Sequence, residues 1–233
     1  MNKEAGSKAR LVLASSSPRR REIIAALDIE VQVSSSEVEE GPARHSESPE
    51  EYVVRLSREK ALAVARSVGD AVVLAADTSV VIDGAILGKP LDELDATRML
   101  KLLRGREHSV ITGITVLQAK SGRAVGTYKR TGVVLRRYSD QELDDYVRSG
   151  EPMDKAGAYA VQDPVFRPAT RLDGCYLNAV GLPLCEVVTS LKALGVYARI
   201  RPDWQAPEQC FECPLAATAL TDAEPSPDGG RDI

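Results

Sequence analysis

Histidine is almost absent from this sequence: there are two in 233 residues. His45 sits in a polar stretch and His108 at the start of an apolar one, so no histidine-based catalytic system is expected. There is no Gly-x-Ser-x-Gly elbow and no His-Glu-x-x-His zinc helix. No apolar run approaches the roughly 18 residues of a membrane span. The polar start, Met1 to Arg10, and the short apolar stretch Leu11 to Ala14 do not form a signal-peptide core, so a cytoplasmic protein is expected. Four cysteines in a chain this long do not form a disulfide scaffold. A net charge of −4 excludes a general nucleic-acid surface, while leaving room for a local basic pocket. No internal repeat is present.

The chain has enough length for a core of its own. Hydrophobic residues make up 43% and are spread evenly from about residue 10 to 200. Residues 1–204 are expected to form one domain. Residues 205–233 change character, being rich in Pro, Ala, Asp and Gly, and are expected to be a flexible tail.

The pattern alternates between helical and strand periods. Arg10–Ala14 predicts a strand, and Ser17-Pro18 opens a helix with Ile23, Ile24 and Leu27 buried. Ile29, Val31 and Val33 alternate as a strand, followed by a polar loop to Glu47. Ser48-Pro49-Glu50-Glu51 is a capping box for a second helix. Ala71–Ala76 predicts a buried strand, and Val80–Leu87 a hairpin turning at Asp83-Gly84. Asp92 caps a helix with Ala96, Met99, Leu100 and Leu103 on one face. Two long strands follow, Ser109–Gln118 and Ala124–Arg136. Ser139–Glu142 is a second capping box, a loop with short strands is expected over 157–180, and Pro183 opens a last helix. The hairpin and the long pair exclude a purely parallel sheet. The expected fold is α/β: an elongated mixed sheet flanked by helices, in two lobes with a central cleft.

Several residues carry chemistry. Ser15-Ser16-Ser17-Pro18-Arg19-Arg20-Arg21 places hydroxyls and guanidiniums at a strand-to-helix junction. Cations there oppose the helix dipole, so either an anion shares the site or the run is an exposed basic turn. Lys60 falls on the apolar stripe of Val53, Leu56, Ala63 and Val64; it must snorkel, pair with a carboxylate or enter a polar cleft. Asp77 is expected at the end of the buried strand, placed for a metal or an activated water, or else forming a turn. Gly88-Lys89-Pro90 could present a lysine to phosphate, but it is not a P-loop. Of Glu37, Glu39 and Glu40 in the polar loop, one could supply a second metal carboxylate, or the three form an ordinary charged loop. The run Asp154–Gln162 could line a base pocket or pack as a strand. Cys210-x-x-Cys213 lies in the tail. A four-ligand zinc site would also require distant Cys175, Cys185 or a histidine, and the strand-to-helix context of a redox pair is absent.

In this order the motifs resemble the Maf family, nucleotide pyrophosphatases once called septum formation inhibitors. They are Leu13–Arg20, Glu37–Glu40, Ser57–Ala61, Ala76-Asp77-Thr78, Gly88-Lys89-Pro90, Glu151–Tyr159 and Val180–Pro183. The resemblance covers roughly residues 10 to 200. It implies hydrolysis of a nucleoside triphosphate to the monophosphate and pyrophosphate with a divalent metal, Mg²⁺ or Mn²⁺, in a homodimer. It places Ser15, Arg19, Glu40, Lys60, Asp77 and Lys89 at the phosphate and metal site, with Arg20 facing phosphate or base. Asp77 and Glu40 would hold the metal, and water would attack the α-phosphorus. Arg19-Arg20, Thr78 and Gln162 resemble the dTTP/UTP branch rather than the 7-methyl-GTP branch, with Thr78 and Gln162 reading the pyrimidine. Asp163-Pro164 after Gln162 departs from the usual glycine. Two other readings stand beside this one: an inosine/xanthosine triphosphate pyrophosphatase, and a nucleotide-binding regulator of cell division with little turnover.

Overall fold

A computed structural model describes residues 10–36, 38–211 and Cys213. The elements are β1 (Leu11–Leu13), α1 (Pro18–Ile24), β2 (Val31–Val33), α2 (Pro49–Ala65), β3 (Val72–Ile82), β4 (Ala85–Leu87) and α3 (Glu93–Leu103). They continue with β5 (Glu107–Gln118), β6 (Ala124–Leu135), α4 (Asp140–Arg148), β7 (Ala169–Asp173), α5 (Tyr176–Val180) and α6 (Leu184–Ala193). The strands form one seven-stranded sheet in the order β2-β1-β3-β5-β6-β7, with β4 added beside β3. β1 is parallel to β2 and β3, and the pairs from β3 through β7 are antiparallel. The mixed sheet and its flanking helices are those expected.

One edge of β3 explains the cleft. β1 pairs only with Val72–Leu74, and β4 pairs only with Val80–Ile82. Among the described residues no strand pairs that edge between 75 and 79. The sheet therefore splits beside β3 into two lobes, while β5 holds the opposite edge continuously from Val72 to Val81. Alternation along β3 then divides its side chains between the two faces. Val73, Ala75 and Val81 pack toward α2, with Ala61, Val64 and Val53. Val72, Leu74 and Ala76 join α1 and α6 in a second core, and Val80 and Ile82 join α3 and α4 in a third.

α2 comes unusually close to the sheet, and Gly113 is the reason. A Cβ at Gly113 would stand 2.4 Å from the Val53 carbonyl carbon and oxygen and 2.6 Å from the Val54 nitrogen. Those are backbone atoms, which cannot swing aside. Ser57 Oγ meets Thr115 Oγ1 at 2.8 Å across the same contact.

Two expectations need correction. Asp77 does not end a strand or form a turn: it lies inside the eleven-residue β3, opposite Gly113. Lys60 neutralises it there, which lets a carboxylate sit in a buried strand. The stretch 157–180 holds one strand, β7, and then a five-residue helix, α5. That helix is fixed by Asn178, whose Nδ2 donates to the Val110 carbonyl at 3.0 Å and to Thr131 Oγ1 at 2.9 Å. The proline- and glycine-rich run at 225–230 lies outside the described residues.

Gly113→Ala is expected to push α2 off the sheet and destabilise the protein by about 1–3 kcal/mol, read as a lower urea midpoint with unchanged slope. Gly126→Ala is the control. Its Cβ would meet only side-chain atoms, the Val54 Cγ1 methyl at 3.3 Å and Thr115 Oγ1 at 3.8 Å, and its effect is expected to be much smaller.

Candidate active site

The cleft beside β3 has a volume of about 400 Å³. The structure brings Ser15, Arg19, Arg20, Glu40, Lys60, Asp77, Thr78, Lys89 and Gln162 to its wall, whereas Glu39 and Arg21 do not line it and Glu37 lies outside the described residues.

Lys60 is the centre. It is a buried lysine on α2, only 8% exposed, so it does not snorkel. Its Nζ donates to Asp77 Oδ1 at 2.5 Å and to Glu40 Oε1 at 2.6 Å. Burial raises the Asp77 carboxyl above its ordinary pKa, with Lys60 and Arg20 pulling the other way and Glu40 adding to the rise. Burial also works to raise Glu40, but Lys60, Lys89 and Arg20 outweigh it and hold Glu40 below the usual range. One ammonium thus serves two carboxylates of different character.

Glu40 arrives on a loop strapped to α2. Arg55 donates to Glu47 Oε1 at 2.6 Å and Oε2 at 2.8 Å, and Tyr52 donates to the Gly41 carbonyl at 3.2 Å. The Arg55 hydrogen bonds hold Glu47 down at a pKa of about 2.

On the opposite face of β3, Arg20 fills the open sheet edge. It donates to the Ala76 carbonyl at 2.7 Å, the Gly181 carbonyl at 2.9 Å, Thr78 Oγ1 at 3.0 Å and Ser15 Oγ at 3.4 Å. Thr78 Oγ1 also shares a hydrogen bond with Thr112 Oγ1 at 2.9 Å. Arg20 is therefore a bracket tying α1, β3 and the α5–α6 connector together. Ser17 occupies the cap position of α1 but its side chain makes no capping bond; its N–H instead donates to Ser15 Oγ at 3.2 Å.

Across the cleft, Arg19 pairs with Asp154 at 3.2 Å, and Asp154 accepts from Lys155 Nζ at 2.7 Å. Lys155 is itself buried. Sequence reasoning misses it as a site residue, although it lies in the quoted run; a lysine just after two acids, Glu151 and Asp154, reads as surface until the 3₁₀ turns fold it inward. The Gly157 N–H donates to the Gly88 carbonyl at 3.0 Å, bringing Lys89 to the same wall. Gly157 has φ 69°, and a Cβ there would strike Val80 at 2.8 Å. After Gln162, the Asp163 carboxylate accepts from the N–H groups of Val165 and Phe166 at 3.0 and 2.7 Å. The unusual Asp-Pro is a self-capped turn.

His108 is not among the cleft-lining residues. It is a core residue that shares a 2.6 Å hydrogen bond between Nε2 and the Tyr159 hydroxyl.

Residues 10–194 match the family described as Maf-like protein. The chain belongs to that family. It is 45% identical over 188 residues to a dTTP/UTP pyrophosphatase of Geobacter sulfurreducens, covering 81% of this chain and 98% of the relative. It is 47% identical over 190 residues to one from Hahella chejuensis, covering 80% and 93%. It is 37% identical over 216 residues to one from Dehalococcoides mccartyi, covering 93% and 96%. A solved dITP/XTP pyrophosphatase from Mycobacterium abscessus is far more distant: 17% identical, over 55% of this chain and 75% of that one, with a TM-score of 0.35.

His108 generates a pH prediction. Burial pushes its pKa from 6.5 down to about 4, against a weaker opposing pull from the Arg106 backbone. A folded pKa below the unfolded one means stability is complete above 6.5 and lost as pH falls toward 4. Urea titrations at pH 7 and 4.5 are expected to differ by roughly 2–3 kcal/mol more in this protein than in His108→Gln.

Proposed function

We propose that this protein hydrolyses dTTP and UTP to the nucleoside monophosphate and pyrophosphate, as a nucleoside triphosphate pyrophosphatase of the Maf family. The observation that carries the reading is the single ammonium of Lys60 bridging Asp77 and Glu40 inside a cleft ringed by Arg19, Lys89 and Lys155. A triphosphate brings three to four negative charges, and this wall of cations in an acidic protein suits it.

The chain's own groups divide the work. Arg19 and Lys89 bind and orient the phosphates. Asp77 accepts a proton from water at Oδ2, its Oδ1 being held by Lys60, and its burial-raised basicity suits that task. The water oxygen bonds to the α-phosphorus, and the bond to the bridging oxygen breaks. The electron pair leaves with pyrophosphate, whose charge the cations stabilise. Thr78 and Gln162 face the base.

Asp77 and Glu40 fit a divalent cation. They are two hard oxygen donors reaching the same ammonium, and Mg²⁺ characteristically takes one or two carboxylates together with substrate phosphates. Such a metal, bound by Asp77 and Glu40, would supply charge neutralisation to the phosphate oxygens. The family reading also carries a homodimer and a cytoplasmic location. Among the described residues no helix is long and apolar enough to cross a membrane.

The test is turnover of a nucleoside triphosphate panel with Mg²⁺ or Mn²⁺, separating pyrophosphate from phosphate. UTP and dTTP are expected to turn over fastest. In ¹⁸O-water the label is expected in the monophosphate. Asp77→Asn is expected to remain folded and lose at least about 10²-fold in kcat, the lower end for a positioned general base. Preference for inosine or xanthosine triphosphate would replace the substrate assignment. Tight binding without turnover would replace the enzyme with a regulator.

A further inference from the structure

The reaction above uses none of the four cysteines. In sequence they are far apart, but the fold gathers them. Cys175 is the N-cap of α5, and its Sγ accepts the Asn178 N–H at 3.4 Å. Cys185 lies in the first turn of α6. Cys210 closes a 3₁₀ turn, Glu208–Cys210, and the Cys213 N–H donates to the Cys210 carbonyl at 3.2 Å. The 3₁₀ turn packs on α5, and Cys175 and Cys210 lie against the same core. All four thiols are free and partly buried. Each lies close enough to every other for their charges to interact: Cys175 with Cys185, Cys210 and Cys213, Cys185 with Cys210 and Cys213, and Cys210 with Cys213.

We propose that Cys175, Cys185, Cys210 and Cys213 form a structural zinc site. A Cys-x-x-Cys turn supplying two ligands, with two more from helix starts, is the donor set of a closed tetrahedral zinc site. Among the described residues no group of three or more potential ligands already stands in ligating geometry, so the thiols must draw together when the ion binds. Burial lifts the Cys185 and Cys210 thiols to about 11 and raises Cys175 as well. Without a cation, burial therefore keeps Cys175, Cys185 and Cys210 as neutral thiols. A dication reverses that balance by binding them as thiolates and releasing their protons to solvent.

The position gives the site a purpose. Cys175 and Cys185 bracket the connector whose Gly181 carbonyl holds Arg20. Cys175 also offers its carbonyl to Thr131 Oγ1 at 2.9 Å; Thr131 accepts from Asn178, and the Asn178 carbonyl accepts from Thr112, the partner of Thr78. Zinc would clamp from outside the segment that Arg20 clamps from inside. It would also fasten residues 205–213, beyond the family match, to the domain.

The test uses the full chain purified without chelator, with metal counted by mass spectrometry. One zinc per chain is expected, kept in Asp77→Asn and lost in Cys213→Ser and in Cys185→Ser. Co²⁺ added to chelator-stripped protein is expected to give the intense visible bands of a tetrahedral thiolate site, saturating at one equivalent. That readout needs no variant to fold. Chelation is expected to lower the melting temperature and raise the KM for UTP. A folded protein whose four thiols titrate freely and which takes up neither Zn²⁺ nor Co²⁺ would overturn the proposal. So would zinc retained in a Cys185→Ser/Cys213→Ser double variant, a disulfide among these cysteines in the purified protein, or an iron–sulfur chromophore in their place.

Discussion

One buried ammonium organises this molecule. Lys60 lies between Asp77 on a central strand and Glu40 on a loop, and the buried Asp77 depends on that cation for its place. Burying such a group is costly unless it is well paired, and a buried ion pair seldom stabilises a fold relative to apolar packing. The arrangement therefore makes sense as chemistry held at the expense of stability. Much of the surrounding structure exists to hold it. Gly113 lets α2 approach β3 closely enough for Lys60 to reach Asp77. The Arg55–Glu47 pair ties down the loop that delivers Glu40.

The second constraint is the broken edge of β3. Because the β1 pairing ends at Leu74 of β3 and the β4 pairing begins at Val80, the adjacent residues Asp77 and Thr78 point to opposite faces and still reach one cleft. The α2 face supplies the carboxylates and the ammonium. The α1–α5 face supplies Arg20, Thr78 and the connector carbonyl. A continuous sheet would have separated these two sets. The unpaired backbone at Ala76 is satisfied by Arg20, so the residue that completes the sheet also fixes the wall of the site.

How much of this was legible follows from the range of each interaction. Amphipathic stripes, capping boxes at Ser48 and Ser139, and the Asp83-Gly84 turn are local, and each element formed where its pattern placed it. The cleft residues were legible through motif order, since no single motif says where the others lie. Asp77 misled because a carboxylate inside an apolar strand normally signals the strand's end; its partner is seventeen residues away and on another element. α5 was missed because five residues carry too little periodicity to tell helix from strand. Lys155 and the gathering of the cysteines depend on contacts that only the folded chain makes.

The central claim is that Lys60 and Asp77 act as one unit in turnover. A double-mutant cycle on kcat/KM for UTP, using Lys60→Met, Asp77→Asn and both together, tests it most directly. The account predicts strong non-additivity: the double variant should be hardly slower than either single one, because each change alone disables the same unit. Losses that add on a logarithmic scale would mean that the two residues contribute independently, and would contradict it.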